Sequence, residues 1–271
     1  MKRLVTAAVL VPLLYGAVKL APPWVFFGVA VLAIGGSCFE CYRIMRTCGA
    51  APMVWPGVAA AAATVWLYGD LPPHLPPSLP LVALVVVVTP VAIWTRRAPD
   101  AVLRTIVDTI FPVAFVGLTM GYVVALRALP DPDGEDLVTL LFICLILADT
   151  AAYYVGTRLG RHKMSPQISP NKSWEGFAGA MAGAIVGTAL AHSWFYTRLP
   201  LSHVVPLGLL LGITGALGDL AESVVKRSCH VKDSSAIFPG HGGIFDRTDN
   251  LLIAAPVLYY YYLWLLPGAV G

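Results

Sequence analysis

Long apolar runs separated by short polar stretches make up most of this chain. They cover residues 4–20, 24–39, 53–68, 81–94, 105–126, 137–160, 173–195, 204–228 and 251–266. Most are close to the length an α-helix needs to cross a bilayer, and lipid offers no outside partner for backbone N–H and C=O groups, so the runs predict membrane helices. The expected fold is all-α: a polytopic integral membrane protein with about nine transmembrane helices. The first two runs read as a helical hairpin. Met1-Lys2-Arg3 before an apolar segment also resembles a signal peptide, but another run follows at once without a clear small-residue cleavage site, so it is read as a retained first helix. Pro112 lies one turn inside the fifth run, where a bundle tolerates a kink. Gly176, Gly179, Gly183 and Gly187 recur along the seventh, so a neighbouring helix can approach closely.

Composition agrees with this pattern. Of 271 residues, 58% are hydrophobic and 12% charged, and the mean hydropathy is +0.75, more apolar surface than one soluble core would hide. The net charge of +3 is unevenly placed. Threading nine spans puts fifteen of the eighteen Lys and Arg residues on one side, leaving Lys19, Arg127 and Arg198 on the other. The positive-inside bias then makes the N-terminus and the loops 161–172 and 229–249 cytoplasmic. The expected location is the cytoplasmic (inner) membrane. No basic stripe with interleaved aromatics suggests nucleic acid. Five scattered cysteines do not form a disulfide framework, and Cys38-x-x-Cys41 has no second pair or nearby His to complete a zinc site, so it reads as packing. Along the chain, 1–136 holds five spans and 137–271 holds four with the polar loops.

Chemistry concentrates between residues 218 and 250. Asp219, Glu222, Ser223 and Lys226 recur on one helix face, followed by Arg227, Lys232 and Asp233. Pro239-Gly240-His241-Gly242-Gly243 cannot continue a helix and favours a loop whose amides can approach an anion. Asp246, Arg247 and Asp249 follow. Carboxylate oxygens suit Mg²⁺, and Lys and Arg suit phosphate. Asp149 sits inside an apolar run, where an ionisable group is a functional candidate or is paired with a neighbouring helix. Asp108, near the charged end of the fifth span, reads as interfacial, and Asp131 to Asp136 as a solvated turn. In the polar loop 161–172, Lys172 precedes a helix start that Asn171 or Ser173 can cap, with Glu175 in the first turn.

At these residues a resemblance becomes specific. Ser223-x-x-Lys226-Arg227, Lys232-Asp233 and Pro239-x-His241-Gly242-Gly243-x-x-Asp246-Arg247-x-Asp249 resemble the signature of the CDP-diacylglycerol synthases, or phosphatidate cytidylyltransferases. Asp149-x-x-Ala152-Tyr153-x-x-Gly156 and Ile168-Ser169-Pro170-x-Lys172-Ser173-x-Glu175-Gly176 are similar to that family's second recurrent segment. Together they cover the C-terminal half; the N-terminal spans are similar only in being apolar. His230 and Ser235 stand where glycine is expected.

The resemblance implies that CTP and phosphatidic acid give CDP-diacylglycerol and pyrophosphate at a polar site on the cytoplasmic side of the C-terminal half. Asp219 and Asp246 would ligate Mg²⁺, with Asp149 and Asp249 as further ligands or supporting groups, with or without a second cation. Asp219, Lys226, Arg227, Asp246 and Arg247 are the expected catalytic residues. Lys172, Ser173, Ser223, Lys232, Asp233, His241, Gly242 and Gly243 are the expected substrate-binding residues, His241 as a hydrogen-bond donor or loop organiser. A homodimer is the expected assembly. Two other classes use parts of this pattern. A membrane phosphotransferase with another lipid or nucleotide needs the same carboxylates and cations. An ion-coupled transporter also buries aspartates, but typically shows an inverted repeat.

Overall fold

Every apolar run among the described residues (15–69, 75–235, 237 and 242–266 of this computed structural model) is helical. The helices are α1 (Pro23–Thr47), α2 (Val54–Tyr68), α3 (Leu79–Thr95), α4 (Pro99–Arg127), α5 (Asp133–Leu159), α6 (Trp174–Trp194), α7 (Leu201–Ser228), the single turn α8 (Phe245–Thr248) and α9 (Leu251–Leu265). Most of the first run lies outside the described residues; its end forms a π-helical turn, Gly16–Leu20. Among the described residues, α1, α4, α5, α6 and α7 are long and apolar enough to cross a membrane, whereas α2 and α3 are apolar but shorter. The 15 residues of α2 rise only about 22 Å, against a hydrocarbon core of about 30 Å. The chain is a multi-pass membrane protein.

Local chemistry explains several boundaries. Pro99 opens α4 with Asp100 in its first turn, a favourable residue order at a helix N-terminus. Pro112 removes a donor inside α4, and the next residues, Val113–Leu118, adopt π-helical bonding. α7 ends in a paired-bond cap: His230 N–H donates to Arg227 C=O (3.0 Å) and Val231 N–H to Lys226 C=O (3.0 Å). His230 takes φ +57° there, which is why a glycine is expected at that position.

The chain divides into two compact units, Met1–Ala128 with Val225–Thr248, and Leu129–Val224 with Asp249–Gly271. The division at 136/137 follows the chain, whereas these units interleave, because residues 225–248 join the N-terminal helices. Within the first unit, Tyr42 of α1 is fully buried and donates to the Thr109 carbonyl of α4; α2 passes so closely over Tyr42 that a side chain at Gly57 would overlap its ring. Asp108 accepts from the Ala51 amide at 3.3 Å.

Cys48 and Cys229, 181 residues apart, form a disulfide in the first unit with Cα atoms 4.8 Å apart. The sequence reading of no framework is corrected to this extent, since spatial closeness at such a separation leaves no spacing signal. Cys38 and Cys41 are buried and take no part in a disulfide.

In the second unit, α5 and α6 pack against each other through the glycine row. A Cβ at Gly183 would lie 2.4 Å from the Leu147 carbonyl oxygen, and one at Gly187 would lie 2.8 Å from Cys144 Cα. Between these helices the segment expected as a polar loop contains a hairpin, β1 (Lys163–Ser165) antiparallel to β2 (Ser169–Ser173). Pro170 is tolerated because both strands of a two-stranded sheet are edges. Asp133 and Asp136, read as part of a solvated turn, instead bind Arg198 at 2.9 and 3.3 Å, with Asp136 buried. Tyr262 also donates to Asp133, at 2.9 Å.

Candidate active site

The second unit gathers carboxylates from three places in the sequence. Asp219 and Glu222 lie one turn apart on α7, and Asp249 stands just before α9. One oxygen from each lies within 4.8 Å of the others. The approach of the 249–250 backbone to α7 requires Gly218, because a Cβ there would meet the Asp249 carbonyl oxygen at 2.6 Å. Asn250 extends the cluster to α5 by donating from Nδ2 to Asp149 Oδ2 at 3.1 Å. Glu222 is fully buried. Burial, then the carboxylates of Asp219, Glu222 and Asp149, raise Asp249 well above the usual carboxylate range. A divalent cation is the natural remedy for such mutual repulsion. The donor set also fits Mg²⁺, since each ligand atom is a hard oxygen.

Lys172 reaches this cluster from the end of β2, with Nζ 2.8 Å from Asp219 Oδ2. Ser223 donates to the other Asp219 oxygen at 3.4 Å. Ser173, expected to bind substrate, is buried and caps α6 by accepting from the Gly176 amide at 3.1 Å. Glu175 accepts from the Arg161 and His162 amides and pairs with His162 Nδ1 at 2.6 Å, which ties the hairpin to α6. Beside the cluster is a cavity of about 270 Å³ whose wall includes Asp149, Asn171, Lys172 and Asp219 along with Tyr153 and Phe177. It therefore offers both charged and apolar surface.

The first unit holds a second constellation. Lys226 Nζ donates to Asp246 Oδ1 at 2.6 Å, while Asp246 Oδ2 accepts from the Ser234 amide (2.8 Å), the Ser234 hydroxyl (2.7 Å) and the Gly243 amide (2.7 Å). Burial raises the Asp246 pKa, but the Gly243 amide, the Lys226 ammonium and both Ser234 groups outweigh it and hold the carboxyl at about 2. Asp246, expected as a metal ligand, pairs here with Lys226 and binds Ser234 and Gly243. Gly242 has φ +77°, a conformation that favours glycine. Arg227 donates to the Val231 carbonyl at 3.1 Å, and Lys232, Asp233 and Arg247 are exposed. His241 lies outside the described residues.

Two residues gain importance in the structure. Glu222 shares a helix face with Asp219 in the sequence, but the expected ligand set does not include it. Glu40 of α1, 1% exposed, accepts four hydrogen bonds from residues 234–245, and its signal is a lone carboxylate at the end of an apolar run.

Comparison with known proteins bears on the whole chain. Residues 1–265 match the model of the cytidylyltransferase family. The phosphatidate cytidylyltransferase of Mycobacterium bovis is 33% identical over 279 residues, 96% of this chain and 89% of that protein. That of Bacillus subtilis is 39% identical over 148 residues, 54% of each chain. That of a Synechocystis species is 44% identical over 138 residues, 50% of this chain and 46% of the relative. The chain thus spans about half of the latter two relatives and most of the first. Because the match includes the N-terminal helices as well as the polar segments, the chain belongs to the cytidylyltransferase family.

Proposed function

We propose that this protein makes CDP-diacylglycerol and pyrophosphate from CTP and phosphatidic acid, with the Asp219, Glu222 and Asp249 carboxylates holding the divalent cation that the transfer uses. The convergence of these three carboxylates within 4.8 Å carries the reading, and the names of its relatives supply the substrates. A phosphatidic acid oxygen attacks the α-phosphorus of CTP, the bond to the β-phosphate oxygen breaks, and its electron pair leaves with pyrophosphate. The attacking phosphate monoester is already ionised near neutral pH, so no side chain needs to remove a proton. Bound Mg²⁺ would offset the repulsion between the two anionic substrates.

Lys172 donates to a substrate phosphate, exchanging its contact with Asp219 for one with substrate. Asp149 supports the cluster through Asn250. Lys226, oriented by Asp246, stabilises charge on the transferring group, and Arg227, Lys232 and Arg247 supply further positive charge. Ser223, Asp233, Gly242, Gly243 and His241 contribute substrate contacts in this reading. It further includes nine spans, with the N-terminus and both polar loops on the cytoplasmic face of the inner membrane, supported by the Lys and Arg partition. A homodimer would appear in detergent at twice the 28.9 kDa chain mass.

Purified protein incubated with CTP, phosphatidic acid and Mg²⁺ should release pyrophosphate and CDP-diacylglycerol in equal amounts. Turnover with another lipid phosphate but none with phosphatidic acid would overturn the substrate assignment.

A further inference from the structure

Glu40 lies in the N-terminal part of the chain, far in sequence from the signature residues, yet it binds residues 234–235 and 244–245 among them. Oε1 accepts from the Ser235 hydroxyl at 2.6 Å and the Ile244 amide at 3.2 Å. Oε2 accepts from the Ser234 hydroxyl at 2.7 Å and the Phe245 amide at 2.9 Å. The Ser234 hydroxyl is also 2.7 Å from Asp246 Oδ2, so its single proton is shared between two carboxylates. A Cβ at Gly243 would lie 2.2 Å from both Glu40 Oε2 and Ser234 Oγ. Glu40, Ser234 and Asp246 therefore form a continuous chain ending at Lys226 Nζ.

Packing alone would not require a carboxylate here. Burying one is costly, and here four donors, two of them main-chain amides that an apolar side chain would leave unpaired, offset that cost. A glutamate that meets four donors fixes residues 234–235 and 244–245 in one geometry. We infer that Glu40 is a positioning residue for the transfer: through Ser234 and the backbone of residues 244–245 it sets Asp246, and Asp246 sets Lys226. This rests on the role of Lys226 proposed above.

The test uses full-length protein in detergent, with sites counted by equilibrium dialysis of labelled CTP. Glu40→Gln keeps the volume but turns an acceptor pair into one acceptor and one donor. It should lower turnover per CTP-binding site about tenfold, with KM for CTP and phosphatidic acid each within about twofold of wild type. Ser234→Ala, a milder change that leaves α1 intact, should lower turnover in the same way. Adding it to Glu40→Gln should cost less than the product of the single losses, because the residues act in series. Lys226→Ala is measured in parallel.

Unchanged turnover per site in Glu40→Gln, or a loss wholly explained by fewer CTP-binding sites, would overturn the inference. If Glu40→Gln fails to fold, wild-type turnover in Ser234→Ala would do so. Wild-type turnover in Lys226→Ala would instead remove the underlying role of Lys226, and the proposed route with it.

Discussion

At the scale of single residues, two positions show how local geometry sets energy. His230 occupies the left-handed cap of α7, where a side chain costs roughly 1 kcal/mol relative to glycine. His230→Gly should therefore raise the melting temperature modestly; a lower one would mean that the imidazole contributes more than the backbone saves. Asp246 gives a pH-dependent case. Its folded carboxyl titrates at about 2, below its ordinary 3.8, so the native state binds fewer protons than the unfolded chain between these values. The resulting stabilisation is complete above about pH 4 and is lost as pH falls through about 2, a difference of roughly 2 kcal/mol. Thermal melts should show the stability deficit of Asp246→Asn shrinking from pH 5 to pH 2, and a constant deficit would contradict this.

Helices were the most legible elements, because an apolar run bounded by prolines and charge has few other solutions in lipid. The second to ninth runs are all helical in the structure, with ends shifted by a few residues. The α6 cap was also legible, since Ser173 precedes an apolar stretch with Glu175 in its first turn. The β1–β2 hairpin was not, because a proline-rich segment of alternating small and polar residues carries no clear period. The glycine row could be read as a close-packing surface, and the structure names what it meets. Gly183→Ala should destabilise by about 1–3 kcal/mol, as the new methyl must displace the α5 backbone at Leu147. Gly28→Ala, with open space at its Cβ, is the matched control and should not destabilise. Equal melting temperatures for the two variants would contradict close α5–α6 packing.

At the scale of the whole molecule, the candidate ligands were legible one by one but their grouping was not. Asp219 and Asp249 are thirty residues apart, and nothing in their spacing pairs them with Glu222 while Asp246 turns to Lys226. The same holds for Glu40 and the Cys48–Cys229 bond, which depend on helices packing across long separations. Topology, in contrast, rests on charge along the chain. Gln167, exposed in the β1–β2 turn, is a suitable reporter. In sealed cells, Gln167→Cys should gain no labelling over the parent from an impermeant thiol reagent, and strong labelling would place the hairpin outside.

The central claim is that the carboxylates gathered around Asp219 serve the transfer of CMP to phosphatidic acid. Its most direct test is the Mg²⁺-dependent turnover of Asp219→Asn, a variant of the same shape with one fewer ligand charge. Turnover should fall by about two orders of magnitude or more at saturating CTP and phosphatidic acid while the melting temperature stays near wild type. Wild-type turnover by Asp219→Asn at limiting Mg²⁺ would contradict the account.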